Sequence, residues 1–215
     1  MRPIELFGWS TPLFQKKQLF NPAVLTAVIA GSMAVSVANA GLVTVDNCGI
    51  FTSWVVFQGG SMEVEDFSGY SGHYASALVG GSGAGEWIAS APGGLFAGSA
   101  GISTATVEGA LTFAFSDPGV FAVGGNFFLT DTNQSVISGV IEIIADNVVY
   151  SYVTDGSDTS FLGFISTDGA IQSISIRPLT SGACATSSSL RIGFVPAPAV
   201  LAAVAMAGLL RRRHR

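Results

Sequence analysis

Charged residues are scarce in this sequence: they make up 11% of its 215 residues, about half the usual share. Lysine is absent from residues 41–195, where the only basic residues are Arg177 and Arg191, yet thirteen of the fourteen acidic residues lie in this span. The span, called the body below, therefore carries a formal charge of −11, against −5 for the whole chain. Because such a body repels phosphate backbones, we expect no nucleic-acid partner.

Cysteine is nearly absent as well, and the two that occur, Cys48 and Cys184, stand near opposite ends of the body. They form no Cys-x-x-Cys motif and have no neighbouring histidine, which argues against a zinc site. In an exported chain they could form a disulfide that closes a long loop and stabilises the fold by about 4–5 kcal/mol in the chain-entropy model. The alternative is two buried free thiols.

The body also lacks any stretch with a helical hydrophobic period. Short β-branched and aromatic runs recur instead between turn residues, at the spacing of an antiparallel sandwich or barrel. The runs are Ile50–Phe57, Ala110–Phe115, Asn126–Thr130, Val140–Ile144, Val148–Val153, Phe161–Ser166 and Ile171–Ile176. Asp146-Asn147 predicts a hairpin turn, and the glycine-rich stretch Gly80–Gly101 predicts long loops around one short strand. We therefore predict an all-β domain over residues 41–194.

Residue sets for catalysis are missing too. The body has one histidine, His73, and no Gly-x-Ser-x-Gly elbow, which leaves no Ser-His-Asp arrangement. Glu63 and Glu65 would share one face of a strand and could form a hydrolase pair, but we favour a solvated outer face. Trp54 and Trp87 are candidates for a platform that stacks on sugar rings. We predict no catalytic residue, no cofactor and no metal site.

The front of the chain has the features of an export signal. The basic pair Lys16-Lys17 precedes an apolar run of about fifteen residues, too short for a membrane span. The run ends in Ala38-Asn39-Ala40, a small-x-small pattern that signal peptidase accepts. We predict a signal peptide over residues 1–40, with the mature chain beginning at Gly41.

The last 21 residues form a three-part segment that begins at Val195. Pro196 and Pro198 keep the backbone extended, an apolar stretch runs from Ala199 to Leu210, and a cluster of arginines follows. The cluster includes Arg211, Arg212 and Arg213. This segment resembles the PEP-CTERM sorting signal of Gram-negative bacteria, in the variant that begins Val-Pro-x-Pro, with Pro-Ala-Pro in place of the usual Pro-Glu-Pro.

The resemblance implies recognition by an exosortase-like enzyme, transient insertion of residues 195–215 in the inner membrane, and association with exopolysaccharide. The stretch Phe161–Ser166, followed by Ile171–Ile176, is similar to a strand pair common in exported proteins of this class, and it implies a jelly-roll-like sandwich. We therefore expect a non-enzymatic structural or interaction protein of the cell envelope or extracellular matrix. A carbohydrate-binding module and a carboxylate-dependent glycoside hydrolase remain the alternatives.

Overall fold

The computed structural model describes residues 41–195. Ala38 and Ala40 of the predicted signal cleavage site lie outside these residues, as does the sorting segment from Pro196 onward. Gly41 and Val195, the first and last described residues, are the points at which the two predicted processing segments join the body. Within 41–195, no helix has both the length and the apolar character needed to cross a membrane.

The described body is mostly antiparallel β-sheet, as the sequence predicts, and it also contains one α-helix, which the sequence analysis did not predict. Helix α1 spans Cys48–Phe57, and a 3-10 turn spans Gly83–Gly85. The strands are β1 Leu42–Val45, β2 Ser61–Glu65, β3 Gly72–Tyr74, β4 Leu78–Gly80, β5 Trp87–Ser90, β6 Leu95–Gly98, β7 Gly101–Thr104, β8 Leu111–Phe115, β9 Val120–Thr130, β10 Val136–Ala145, β11 Val148–Asp155, β12 Phe161–Ser166, β13 Ser173–Pro178 and β14 Cys184–Phe194.

The strands form two sheets that face each other. Sheet A runs β1-β12-β9-β14, and β14 is bordered further along by β2 and by the β7-β6-β3 meander. Sheet B runs β4-β5-β8-β13-β10-β11. Strand β10 joins the two sheets, because Val136 and Ile137 pair with β9 before the rest of the strand enters sheet B.

Alternation along the strands fills the space between the sheets. In β8, Leu111, Phe113 and Phe115 point inward while Thr112 and Ala114 point outward. The same two-residue period puts alternate residues of β10 and β13 in the core. One contiguous apolar core therefore joins the inner faces of both sheets.

Helix α1 corrects the prediction of a strand over Ile50–Phe57. Asn47 caps the helix, because its side-chain oxygen accepts hydrogen bonds from the backbone N–H groups of Gly49 (2.9 Å) and Ile50 (3.1 Å). Phe51 and Val55, one turn apart, are buried against the outer side of sheet A. Tertiary packing thus overrides the preference of the Phe-Thr-Ser-Trp-Val-Val run, residues 51–56, for extended structure.

Two glycines of sheet A allow this helix to approach. A Cβ atom at Gly163 of β12 would overlap the ring of Phe51, and one at Gly193 of β14 would come within 2.8 Å of a Val55 methyl group. Because both residues lack a side chain, α1 packs directly on the sheet backbone.

The turn prediction is confirmed, and the prediction for the glycine-rich stretch is partly wrong. Asp146 and Asn147 join β10 to β11 with φ values of 43° and 73°, the left-handed geometry of a tight hairpin. Between Gly80 and Gly101, however, the chain forms two complete strands, β5 and β6, rather than one. The inward positions of these two strands include small residues, since Ala89 and Ala97 are buried. The strands therefore lack the β-branched runs from which a strand is normally predicted.

Both ends of the body leave the sandwich at the same place. The carbonyl of Gly41 accepts a hydrogen bond from the Thr167 N–H (2.6 Å), just after β12 ends, and the Val195 N–H donates to the carbonyl of Gly119 (3.0 Å), just before β9 begins. Since β12 and β9 are antiparallel neighbours, these residues share one end of the sheets. We call it the terminal end.

Candidate functional surfaces

The predicted aromatic platform does not form. Trp87 is 1% exposed and packs edge-on against Phe67 and Phe113 in the core, so it cannot stack on a sugar. Trp54 lies half-buried on α1, against the cluster that holds the helix to sheet A. The two tryptophans therefore belong to different apolar clusters and do not share a surface.

Both cysteines are free thiols in the structure. Cys184 begins β14 opposite Thr130, at the end of the sandwich opposite the terminal end. Cys48 begins the helix that packs over Gly163. Gly163 pairs with Gly124, which is six residues from Thr130 along β9. The two cysteines therefore lie beside different parts of β9. Burial raises the pKa of the Cys184 thiol, with the nearby Asp131 adding to the rise, which keeps this thiol protonated and unreactive near neutral pH.

The carboxylates of Glu63 and Glu65 are half-buried on β2, not on the solvated outer face that we favoured. Their neighbours across the strand pair are Ile192 and Leu190, both core residues. Glu65 accepts a hydrogen bond from the Phe67 N–H (2.8 Å), and Glu63 lies against Gly85. Across residues 41–195, no three His, Cys, Asp or Glu side chains converge in a way that could hold a metal.

A broad surface with almost no net charge covers the outer side of sheet B. We call it the neutral face. Its side chains are hydroxyls, valines, isoleucines and an alanine that alternate with the core residues of the same strands. They are Val79, Ile88, Ser90, Thr112, Ala114, Val140, Ile144, Val149, Ser151, Val153, Ser173 and Ser175.

The two charges within the neutral face cancel each other. Arg177 of β13 donates to the carboxylate of Glu142 on β10 at 2.5 Å. Beside this pair, the hydroxyls of Thr112 and Ser175 lie 3.0 Å apart across the β8–β13 boundary. Asp155 stands only at the margin, where β11 ends and its carboxylate accepts a hydrogen bond from the Ser157 N–H. Exposed Glu86 directly precedes β5 and lies at another margin. Within the strands of this side, a body of charge −11 thus has only one ion pair.

Sequence reasoning missed the neutral face, although a signal for it is present. Five outward positions of β8 and β13 include four small uncharged residues, Thr112, Ala114, Ser173 and Ser175, and one charged residue, Arg177. Strands with a solvated side usually carry more Lys or Glu at such positions. The absence of lysine is a property of the whole body and does not by itself identify one side. The sheet order was needed to bring these positions together, because β5, β8, β13 and β10 are not consecutive in the chain.

The terminal end carries a shallow depression of about 350 Å³ beside Gly41, lined in part by Leu42, Asp146, Asp168 and Gln172. The Asp146 carboxylate accepts a hydrogen bond from the Gln172 N–H (3.1 Å). Gly41 has a φ of 66° and lies so close to Asp168 that a Cβ atom at position 41 would overlap its carboxylate. The acids at this end thus hold turns together and surround the point where the mature chain is expected to begin.

Tyr152 ties the edge of sheet B to sheet A. It lies on β11, and its hydroxyl donates to the carbonyl of Phe127 on β9. Burial raises the pKa of Tyr152 above its usual value, and Tyr150 and Asp155 add to the rise. The phenol therefore stays neutral and bonded through the ordinary pH range.

Comparison with known proteins leaves the family open: no family model and no curated protein matches the chain. Among solved structures, a family 11 carbohydrate-binding module from Clostridium thermocellum, in complex with a β-1,3-1,4-mixed-linked tetrasaccharide, aligns over 72% of this chain and 96% of its own length. The two sequences are 11% identical over the alignment and the TM-score is 0.15. A TM-score of this size supports no inference about shared fold or ligand, so the function must be argued from the chain itself.

Proposed function

We propose that this chain is an exported, non-enzymatic protein of the cell envelope or extracellular matrix, and that its body, a jelly-roll-like sandwich, associates with exopolysaccharide. The export part of the proposal depends on the signal peptide over residues 1–40 and the sorting segment over residues 195–215. Gly41 and Val195, where these segments join the body, both lie at the terminal end.

The neutral face is the observation that supports an interaction role. Hydroxyl side chains such as Thr112 and Ser175 offer donors and acceptors to a polyhydroxylated chain. Neighbouring methyl groups, as in Val149 and Val153, offer apolar contact. A neutral polymer can lie on this side without crossing the negative potential of the remaining surface. We do not propose the aromatic platform, because Trp87 is buried.

The test is to recover the protein from its native host and follow it into the exopolysaccharide fraction. The intact mass should correspond to a chain that starts at Gly41 and has lost its apolar tail. A mass equal to the full 215-residue chain would contradict export and sorting.

A charged variant tests the neutral face in the same preparation. The double substitution Ser151→Asp/Ser175→Asp should lower retention in the polysaccharide fraction about tenfold, equivalent to about 1.4 kcal/mol, because a desolvated carboxylate opposes contact. The matched control, Ser71→Asp/Ser99→Asp, adds the same charge at exposed sites outside the neutral face and should be retained like the wild type. Equal retention of both variants would remove the neutral face from the proposal.

A further inference from the structure

The end of helix α1 exposes apolar side chains to solvent. Phe57 is 82% exposed and Val56 65% exposed, and no other large apolar side chain among residues 41–195 is as exposed as Phe57. An isolated surface valine would need no explanation, but two successive apolar residues with this exposure at a helix terminus favour contact with another apolar phase.

These side chains lie at the terminal end. After α1 the chain turns through Gly60, whose N–H donates to the carbonyl of Val55 (3.0 Å). Ser61 then pairs with Phe194, and a Cβ atom at Gly60 would come within 3.1 Å of the Phe194 carbonyl. Phe57 is thus four residues before the one that pairs with Phe194, directly beside the point where the tail departs.

The length of the connection places this end close to a bilayer. Only Val195, Pro196, Ala197 and Pro198 separate β14 from the apolar stretch that begins at Ala199. Four extended residues span at most about 14 Å, while the headgroup layer on one side of a bilayer is roughly 5–8 Å thick. With Ala199 at the edge of the hydrocarbon core, the terminal end therefore lies at most about 6–9 Å beyond the headgroups.

The charges at the terminal end determine which lipid headgroups it can approach. The acids there are Asp117, Asp146 and Asp168, and each accepts a local hydrogen bond that holds a turn. The two arginines of the body lie elsewhere, on β13 and β14. This end consequently has no basic patch for anionic lipids, and its carboxylates repel them.

We propose that, before the tail is removed, Val56 and Phe57 insert into the headgroup layer of the membrane that holds the chain's own tail, so that the body stands on the bilayer by its terminal end. The inference rests on the proposed function, because it requires residues 199–210 to be in the membrane. It adds a second, weaker contact to that of the inserted apolar stretch, as interfacial aromatic residues do at membrane surfaces.

Depth-dependent quenching tests the contact on the mature chain, residues 41–215, reconstituted in phosphatidylcholine vesicles. Gln58, which is exposed next to Phe57, is replaced by Cys in a Cys48→Ser background and labelled with an environment-sensitive fluorophore, while buried Cys184 is left in place. A label at Thr132→Cys, in the loop after β9 at the opposite end, is the reference. Brominated phosphatidylcholine should quench the label at 58 at least threefold more than the label at 132.

Substitutions then identify the inserting side chain. Phe57→Ser should reduce quenching at position 58 by half or more, whereas Val149→Ser, at an exposed apolar residue of the neutral face, should leave it unchanged. Replacing a third of the lipid by phosphatidylglycerol should lower the quenching.

Vesicle flotation separates the two ways in which this proposal can fail. A chain that floats with the vesicles but shows no quenching at position 58 has an inserted tail and no interfacial contact, which overturns the inference alone. A chain that does not float overturns the membrane insertion of the tail, and this inference with it.

Discussion

Glycines on the outer side of sheet A decide whether α1 can lie against it. Gly163 and Gly193 sit beneath Phe51 and Val55, which the helix presents one turn apart. In a strand interior glycine is normally a weakness, because it has no side chain to pack. Here the missing side chains are replaced by the buried face of the helix, so these residues are structural requirements of the second apolar cluster.

Gly163→Ala should lower the free energy of unfolding by about 1–3 kcal/mol, because the new methyl group overlaps the Phe51 ring and forces the helix outward. Denaturant unfolding of the purified protein measures the change. Gly169→Ala is the matched control, since a Cβ atom there meets no atom within 4 Å, and it should be close to neutral. Equal effects of the two substitutions would show that the close approach is not what makes Gly163 necessary.

Helix α1 is the element that sequence patterns predict least well. Six of the seven predicted runs lie wholly or largely in strands, because their alternating side chains match the pleat of a sheet with one buried side. Ile50–Phe57 has the same composition but becomes helical, since its core contact is a sheet face rather than a neighbouring strand. That information is carried by Asn47, Gly163 and Gly193, which are far apart in the chain.

The N-cap residue Asn47 provides a test of what stabilises α1. Asn47→Ala removes the acceptor for the Gly49 and Ile50 N–H groups and should lower the free energy of unfolding by about 0.5–2 kcal/mol. Asn47→Asp keeps an acceptor at the same place and should remain near the wild-type value. Hydrogen exchange of the first helical turn provides the local measurement. Faster exchange in both variants would contradict a capping role that depends on the acceptor oxygen.

At the scale of the whole molecule, the two sheets are joined covalently by β10 and closed on another side by Tyr152. Because the pKa of Tyr152 is raised in the folded state, its contribution to stability is complete below the unfolded-state pKa of about 10 and is lost as pH rises through the folded-state value. The sandwich should therefore weaken in alkali.

Tyr152→Phe should cost about 0.5–1.5 kcal/mol at pH 7 through the lost bond to Phe127. Its free energy of unfolding should then fall less than that of the unsubstituted chain between about pH 9 and 11. Both chains carry Cys184→Ala in this comparison, because burial also raises the pKa of that thiol. Parallel pH profiles of the two proteins would argue against ionisation of Tyr152 as a cause of alkaline weakening.

The sequence predicted the all-β fold class, whereas the neutral face could not be predicted from it. Strand patterns report which side of each strand is buried, but not which strands become neighbours. Thr112 and Ser175 are 63 residues apart and still meet side by side. The burial of Trp87 was equally hidden, since aromatic content alone does not distinguish a core ring from a binding platform.

For a chain held in the membrane by its tail, as proposed, the common exit of the two ends of the body also determines which part of the body lies farthest from the membrane. Strand β9 runs from Val120 at that end through eleven residues to Thr130, about 35–37 Å if it is fully extended, and the loop at residues 131–135 lies beyond it. An epitope inserted in this loop would stand at the outermost point of a protein held by its tail. The strands would then run along the membrane normal. Neighbouring molecules in the same membrane would contact one another through the sides of the sandwich rather than through its ends.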